Sequence, residues 1–187
     1  MIAAFRAGCL TLGFGLCMAG ASPAAVTAFD GGGPGSDCFN AAKNGVAPEA
    51  GIDICTQAIK SQVMSDRDLA GTYANRAVIY MRMASFVSAQ HDFEQAMTLD
   101  PSLGEAVIGH GGALIAQKKY ADGIDEISRG LALNPAEPEK AYFNRALAYE
   151  SLDDLKAAYY DYSKAAELNP NWNPPREELA RFTAADR

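Results

Sequence analysis

A short phrase of leucine, then aspartate or asparagine, then proline recurs at a nearly fixed spacing along this chain. It stands at 99–101, 133–135 and 168–170, so that Pro101, Pro135 and Pro170 lie 34 and then 35 residues apart. A period of this length is typical of helical repeats, because one helical hairpin cannot bury its apolar face until neighbouring hairpins stack on it. The spacing therefore predicts an array of stacked helix pairs.

Alignment on these prolines brings small residues to the positions where two helices of one hairpin must approach closely. These positions hold alanine or glycine in every copy: Ala77, Gly111 and Ala146 in the first helix, then Ala89, Gly123 and Ala158 with Ala96, Gly130 and Ala165 in the second. Large residues alternate with them: Tyr80, Leu114 and Tyr149, then Phe93, Ile127 and Tyr162. Small positions facing large ones let a helix pair interdigitate at native density.

The segments 73–80 and 142–149 share the pattern Tyr-x-Asn-Arg-Ala-x-x-Tyr. With the small, large and proline positions, this pattern resembles the tetratricopeptide repeat (TPR). The resemblance implies an all-α fold, an α-α solenoid of three full TPR hairpins at 69–102, 103–136 and 138–171. A partial hairpin at 36–66 is expected before them. A C-terminal cap at 172–187, with a helix that follows Asn173 and Pro174, is expected after them.

The middle repeat departs from the others in its glycine content. Gly109, Gly111 and Gly112 fall within one predicted helix, and each mid-helix glycine costs about 0.5–1 kcal/mol relative to alanine. Either packing against the neighbouring repeats compensates for this cost, or the helix is a soft joint. Ser102 and Glu105, three residues apart, predict a capping box at its start.

The first 28 residues have the layout of a secretory signal peptide. Arg6 precedes an uncharged apolar run from 7 to 21, and small residues continue to Ala28. The run is shorter than the roughly 20 apolar residues that span a bilayer. We therefore expect cleavage near Ala28 and no stable membrane insertion afterwards, with an uncleaved anchor as the alternative. A flexible, glycine-rich lead-in at 29–35 would follow.

Two cysteines, Cys38 and Cys55, lie beyond this segment. In the repeat register Cys55 takes the place of Phe93, and Cys38 stands just before the small position of a shortened first helix. The two sites are then close enough for a bond across the partial hairpin. An even number of cysteines behind an export signal favours a disulfide over two reduced thiols. The Asp-Cys and Cys-Thr pairs also resemble exported bacterial TPR proteins, which implies a periplasmic location.

The sequence contains no pattern typical of a catalytic, metal or cofactor site. His91 and His110 fall at unrelated repeat positions, without the spacing of metal ligands. A net charge of −7 without a basic stripe argues against nucleic-acid binding. We therefore expect a non-catalytic protein that needs no cofactor, with an enzyme or a metal-binding protein as the remote alternative.

The TPR resemblance implies a concave wall, lined by the first helices, that binds a protein or peptide segment. Asn75 and Asn144 take the place where TPRs commonly hydrogen-bond a bound peptide. Carried over position by position, the predicted wall is Asn75, Val78, Met81, Arg82, Ile108, Ile115, Lys140, Phe143, Asn144 and Leu147, with Glu105, Gly112 and Glu150 at adjoining positions.

Two other interpretations of the same residues stay open. Lys140 and Asn144 resemble part of the carboxylate clamp of chaperone-binding TPRs, but Gly109 replaces an asparagine of that clamp and Glu105 would repel a carboxylate. The apolar members could instead pack one repeat against the next.

A further alternative places binding elsewhere on the molecule. The protein would then be a constitutive subunit of an envelope complex that docks through its outer faces, at His91, Tyr159 and Tyr160.

Overall fold

The computed structural model describes residues 33–45, 47–61 and 64–182, and these residues form helices joined by short turns. The predicted signal peptide, residues 29–32 of the lead-in and residues 183–187 lie outside the described residues. The all-α prediction is confirmed, and the helices are α1 (Pro34–Asn44), α2 (Pro48–Lys60), α3 (Asp66–Arg82), α4 (Phe86–Leu99), α5 (Gly104–Ala116), α6 (Tyr120–Leu131), α7 (Pro138–Ser151), α8 (Leu155–Leu168) and α9 (Pro174–Leu179).

Consecutive helices pair into four hairpins, α1–α2, α3–α4, α5–α6 and α7–α8, and each hairpin packs on the next. The first helices also contact one another, α1 with α3, α3 with α5 and α5 with α7. One wall of the solenoid is therefore lined by first helices. The predicted packing of small against large side chains is present, since Ala77, Ala89 and Ala96 are fully buried around Phe93.

The turn within each full hairpin contains a non-glycine residue in the left-handed backbone region. Ala84, Lys118 and Asp153 have φ of 55°, 64° and 62°, and they occupy the same repeat position. L-residues adopt this region at a cost, because Cβ approaches the following carbonyl oxygen. The tight turn therefore holds some backbone strain in every full repeat.

The helix starts agree in part with the sequence. Pro138 stands at the first turn of α7, where a missing backbone N–H costs nothing. The predicted capping box is wrong, because the nearer Asp100 carboxylate accepts both the Ser102 N–H at 3.0 Å and its hydroxyl at 2.6 Å. Helix α5 consequently starts at Gly104, and Glu105 accepts instead from the backbone N–H of Ala136 at 2.9 Å.

The two ends of the array are closed differently. At the N-terminal end Cys38 and Cys55 form the expected disulfide between α1 and α2, with their Cα atoms 4.5 Å apart and both side chains buried. Helix α1 begins at Pro34, so the last two residues of the predicted lead-in are helical. Within the described residues, no helix combines the length and apolar character that crossing a membrane requires.

At the C-terminal end aromatic side chains cover the last hairpin. Trp172 meets the ring of Phe143 with centroids 5.1 Å apart, and Phe182 lies 5.9 Å from the ring of Tyr162. Leu179 of α9 joins the same core. This segment therefore occupies the side on which a further hairpin would otherwise stack.

Candidate functional site

Two residues of the predicted wall are buried. Asn75 is 1% exposed and Phe143 is 3% exposed. The Phe143 ring is held between Tyr162, at 5.4 Å between centroids, and Trp172. Trp172, which follows the last repeat, therefore covers this wall position. Neither Oδ1 nor Nδ2 of Asn75 has a hydrogen-bond partner among the described residues.

Two further wall residues, Ile108 and Ile115, lie over glycines of α6. A Cβ added at Gly130 would fall 2.6 Å from Cγ1 of Ile108, and one added at Gly123 would fall 2.5 Å from Cγ1 of Ile115. Both isoleucines therefore contribute to the contact between α5 and α6. Their exposure is intermediate, so part of each side chain still faces the surface.

The other apolar wall residues are also partly engaged in packing. Val78 and Met81 pack against the core of the first full hairpin, and Leu147 packs against the core of the last. The packing interpretation thus accounts for much of their placement, although all three stay half-buried at the wall.

The polar wall residues differ in whether a partner is already present. Lys140 Nζ lies 2.5 Å from Glu137 Oε1, so its charge is paired. Asn144 is half-buried. Arg82, at the C-terminal end of α3, is exposed and forms no ion pair within the described residues. Desolvation by its surroundings lowers the pKa of the Arg82 guanidinium.

A second set of polar residues, which sequence reasoning missed, joins neighbouring hairpins. Arg76 of α3 donates to both carboxylate oxygens of the buried Asp92 on α4, at 2.7 and 2.9 Å. Its third nitrogen donates to the Thr56 hydroxyl of α2 at 2.9 Å. The guanidinium lies 5.5 and 5.9 Å from the ring centroids of Tyr73 and Tyr80. We call this group the Arg76 junction.

The same arrangement recurs between the second and third full hairpins as the Arg145 junction. Arg145 donates to both oxygens of the buried Asp161 at 2.7 and 2.9 Å, and to the Ser128 hydroxyl of α6 at 2.8 Å. Its guanidinium lies 5.3 Å from the ring centroid of Tyr142 and 5.9 Å from that of Tyr149. Bidentate pairing of this kind fixes both distance and orientation.

Both junctions carry a permanent charge. The hydrogen bonds to Asp92 and Asp161 raise the pKa of Arg76 and of Arg145 above the ordinary value, against the opposing effect of burial. The signal was present in the sequence, because each arginine is followed by an aspartate 16 residues later. At the corresponding positions the middle hairpin has His110 and Glu126.

The proposed outer docking residues are accessible to different degrees. The side chain of His91 is 66% exposed and Tyr160, at the corresponding position two repeats later, is 64% exposed. Tyr159 is instead half-buried, with its ring 5.8 Å from that of Phe182. An aromatic contact point on this face is therefore limited to Tyr160 among the three.

Comparison with known proteins bears on the fold. Residues 70–103 and 139–171 each match a family model described as tetratricopeptide repeat. A DnaJ homolog subfamily C member 7 homolog from Dictyostelium discoideum is 24% identical over 116 residues, which cover 62% of this chain. The match spans only 21% of that relative's length.

Two solved structures have a similar fold. The first TPR of Spaghetti (RPAP3) bound to HSP90 peptide SRMEEVD is 26% identical with a TM-score of 0.56, covering 60% of this chain and 88% of that one. The crystal structure of MamA is 20% identical with a TM-score of 0.61, covering 76% and 80%. MamA, at this identity, supports the fold alone.

Proposed function

We propose, from the premise that the chain is a tetratricopeptide-repeat protein, that it is a non-catalytic adaptor which binds a segment of a partner protein along the wall formed by its first helices. The repeats and the peptide-bound neighbour support a protein-interaction scaffold in general. The location of the binding surface, the absence of catalysis and the cellular compartment are the finer parts of this proposal.

Arg82 is the observation that carries the choice of the wall. A cation without an ion pair in the described part of the chain, on a protein of net charge −7, is a ready partner for a carboxylate. Half-buried Val78 and Met81 belong to the same helix. We therefore propose that the bound segment carries an acidic group near apolar side chains.

The neighbour's ligand is consistent with such chemistry, because the peptide SRMEEVD combines acidic residues with methionine and valine. The carboxylate clamp of chaperone-binding TPRs is nevertheless incomplete here. Gly109 stands at the position of Asn75 and Asn144, and Lys140 is already paired with Glu137. We accordingly propose an acidic segment and not a chaperone C-terminus.

The cysteines and the N-terminal sequence support a proposal for the compartment. A buried disulfide is typical of proteins in oxidising surroundings, and residues 1–28 have the layout of a secretory signal. We propose export to the bacterial periplasm on these two grounds.

A photo-crosslinking amino acid at position 144, introduced in the source organism, would identify the partner, and a synthetic peptide of the cross-linked segment would then be titrated. Arg82→Glu should weaken peptide binding by about tenfold or more, and Asn144→Ala by less. Lys156→Ala, on the exposed surface of α8, is the matched control and should leave affinity unchanged. Unchanged affinity in both wall variants would reject the wall as the binding surface.

Docking through the outer face is a second candidate because Tyr160 exposes most of a large aromatic ring on a second helix. Exposed tyrosines are common anchors in protein interfaces. Tyr160→Ser should abolish binding of the partner if this candidate is right, while Arg82→Glu should then have no effect.

A further inference from the structure

Three residues at one repeat position, Arg76, His110 and Arg145, lie where a hairpin meets the one before it. Both arginines are held by a buried aspartate of their own hairpin and by a hydroxyl of the preceding second helix. In the middle hairpin all three residue types of this arrangement differ. His110 replaces the arginine, Glu126 replaces the aspartate, and Glu94 replaces the residue that carries the hydroxyl. We call these three residues the His110 junction.

The His110 junction brings two carboxylates to one imidazole. Nε2 lies 3.5 Å from Glu94 Oε1 on α4, and Nδ1 lies 3.7 Å from Glu126 Oε2 on α6. The imidazole is only 11% exposed, yet neither ring nitrogen has a hydrogen-bond partner in the described residues. Buried polar atoms without partners are rare in folded proteins and call for an explanation.

The hydrogen-bonding capacity of histidine explains why both ring nitrogens lack partners. A neutral imidazole has one N–H and one acceptor nitrogen, whereas an ionised carboxylate can only accept. The neutral ring can therefore satisfy one of the two flanking glutamates and must direct a lone pair at the other. Only the doubly protonated ring donates to both, and it then forms an ion pair with α4 and another with α6.

The other charged groups around this position are already engaged. On α6, Arg129 Nη2 lies 2.5 Å from Glu126 Oε2 and 3.5 Å from Met97 Sδ of α4. On α4 the Glu94 carboxylate accepts from the neutral amide of Gln90, at 3.0 Å. The cations at corresponding positions of α3 and α7, Arg76 and Arg145, are held by Asp92 and Asp161. A proton on His110 would add a cation on α5 that faces carboxylates of both α4 and α6.

We propose that His110 makes the middle hairpin a proton-dependent joint: protonation clamps α5 to α4 and α6, and deprotonation releases the clamp while the neighbouring arginine junctions stay closed. The helix that carries His110 suits this role, because Gly109, Gly111 and Gly112 give α5 a weak intrinsic preference for the helical state. Because the unfolded chain lacks these ion pairs, the clamp should add stability in acidic solution, where the imidazolium forms, and none where the ring is neutral.

The test compares unfolding by urea at pH 7.5 and 5.5, with EDTA present throughout, in the natural chain and in His110→Gln. The unfolding constant of the variant relative to the natural chain should rise by about three- to tenfold between pH 7.5 and 5.5, as expected for partly buried ion pairs. His91→Gln is the comparison variant. Its imidazole is 66% exposed and lies 3.5 Å from one carboxylate oxygen, Oδ1 of Asp92, which Arg76 already pairs, so its pH-dependent change should be clearly smaller than that of His110→Gln. An equal ratio at the two pH values for His110→Gln would overturn the proposal.

A second variant covers the case in which His110→Gln does not fold. H110R combined with E94T and E126D rebuilds the Arg76 junction in the middle hairpin. Hydrogen exchange of the α5 amides, corrected for intrinsic rates, should then show the same protection at both pH values, while the natural chain gains about three- to tenfold at pH 5.5. No gain in the natural chain, or a gain seen only when Zn²⁺ replaces EDTA, would also overturn it.

Discussion

The middle hairpin and the two full hairpins beside it reach the same fold by different means. The outer two place alanines at the close-packed positions and an arginine at the junction. The middle one places glycines at those positions and a histidine at the junction. A Cβ added at Gly111 would lie 2.9 Å from the carbonyl oxygen of Gly123, and one added at Gly123 would lie 2.9 Å from that of Gly111.

The difference shows that the middle hairpin joins its own two helices by close backbone contact, whereas each hairpin beside it has an arginine that pairs with a buried aspartate. Glycine lets two helices approach until main-chain atoms meet, which gains dispersion contacts at the expense of helix propensity. The hairpins on either side contain better helix formers, and their arginine junctions connect three helices each. Of the glycines in α5, Gly111 meets α6 of the same hairpin, and Gly109 lies against Phe93 of the preceding hairpin. These contacts favour packing as the compensation for the glycine cost, and a soft joint stays a proposal.

Substitution at an arginine junction should cause the largest loss in the free energy of unfolding. Arg145→Ala leaves the Asp161 carboxylate buried without its cation, which should cost about 3–5 kcal/mol in the free energy of unfolding. His110→Ala at pH 7.5 should cost clearly less, because the imidazole has no hydrogen bond to lose. Urea unfolding of both variants measures the contrast, and equal losses would show that the junctions are energetically alike.

Removing Asp161 as well provides a control for this first prediction. The double variant Arg145→Ala with Asp161→Ala should be more stable than Arg145→Ala alone, since no buried charge is then left without a partner. A double variant that is less stable would mean that side-chain volume, and not charge, dominates this junction.

Substitution at the contact between Gly111 and Gly123 should cause an intermediate loss of stability. Gly111→Ala would place a Cβ 2.8 Å from Ile127 Cγ1 and 2.9 Å from the Gly123 oxygen, and we expect a net loss of about 1–2 kcal/mol despite the better helix propensity. Gly112→Ala is the matched control, because a Cβ there meets no described atom within 4 Å. That variant should gain about 0.5–1 kcal/mol. A gain at both positions in thermal unfolding would show that the two backbones are not in contact.

Substitution of the left-handed turn residues, which all full hairpins share, should cause the smallest change in stability. Ala84→Gly should stabilise the chain by about 0.5–1 kcal/mol, because glycine adopts a φ of 55° without steric strain. Asp153→Gly should change stability by less, since aspartate tolerates this region better than alanine. The two melting temperatures decide the matter, and a destabilised Ala84→Gly variant would contradict strain at this turn.

Much of the fold could be predicted from the sequence because the same residue types recur at fixed positions of each repeat. The proline phrase and the small positions predicted the hairpins, and the repeat register brought Cys38 and Cys55 together. These features depend on local backbone geometry and on contacts within one hairpin, so one period of sequence is enough to reveal them.

The surface of the wall was harder to predict. Whether Phe143 faces a ligand depends on where Trp172 lies, and this is decided beyond the last repeat. Asn75 and Asn144 share a repeat position, yet the first is buried and the second is half-exposed, because their neighbours differ. The placement of Asn75, Val78, Met81, Arg82, Ile108, Ile115, Lys140, Phe143, Asn144 and Leu147 as ligand contacts stays a proposal.

The junctions could have been found by a different search of the sequence. Alignment of single positions marks Arg76, His110 and Arg145 as one column, but their meaning appears only when that column is paired with the one 16 residues later. The pairing of charge types across columns then shows that the middle repeat changes both members together. The third partner, on the preceding hairpin, requires knowledge of how hairpins stack.

Each junction combines residues of two successive hairpins. The interactions at a junction therefore depend on the order in which the hairpins follow one another. Moved forward to follow α2, the middle hairpin would place His110 beside Thr56 and lose its second carboxylate. The third hairpin, moved to follow α4, would place Arg145 beside Glu94 and exchange a neutral hydrogen bond for an ion pair. Shuffled versions of this array would keep every helix and still differ in their response to acid, so the modules cannot be permuted without changing how the protein behaves.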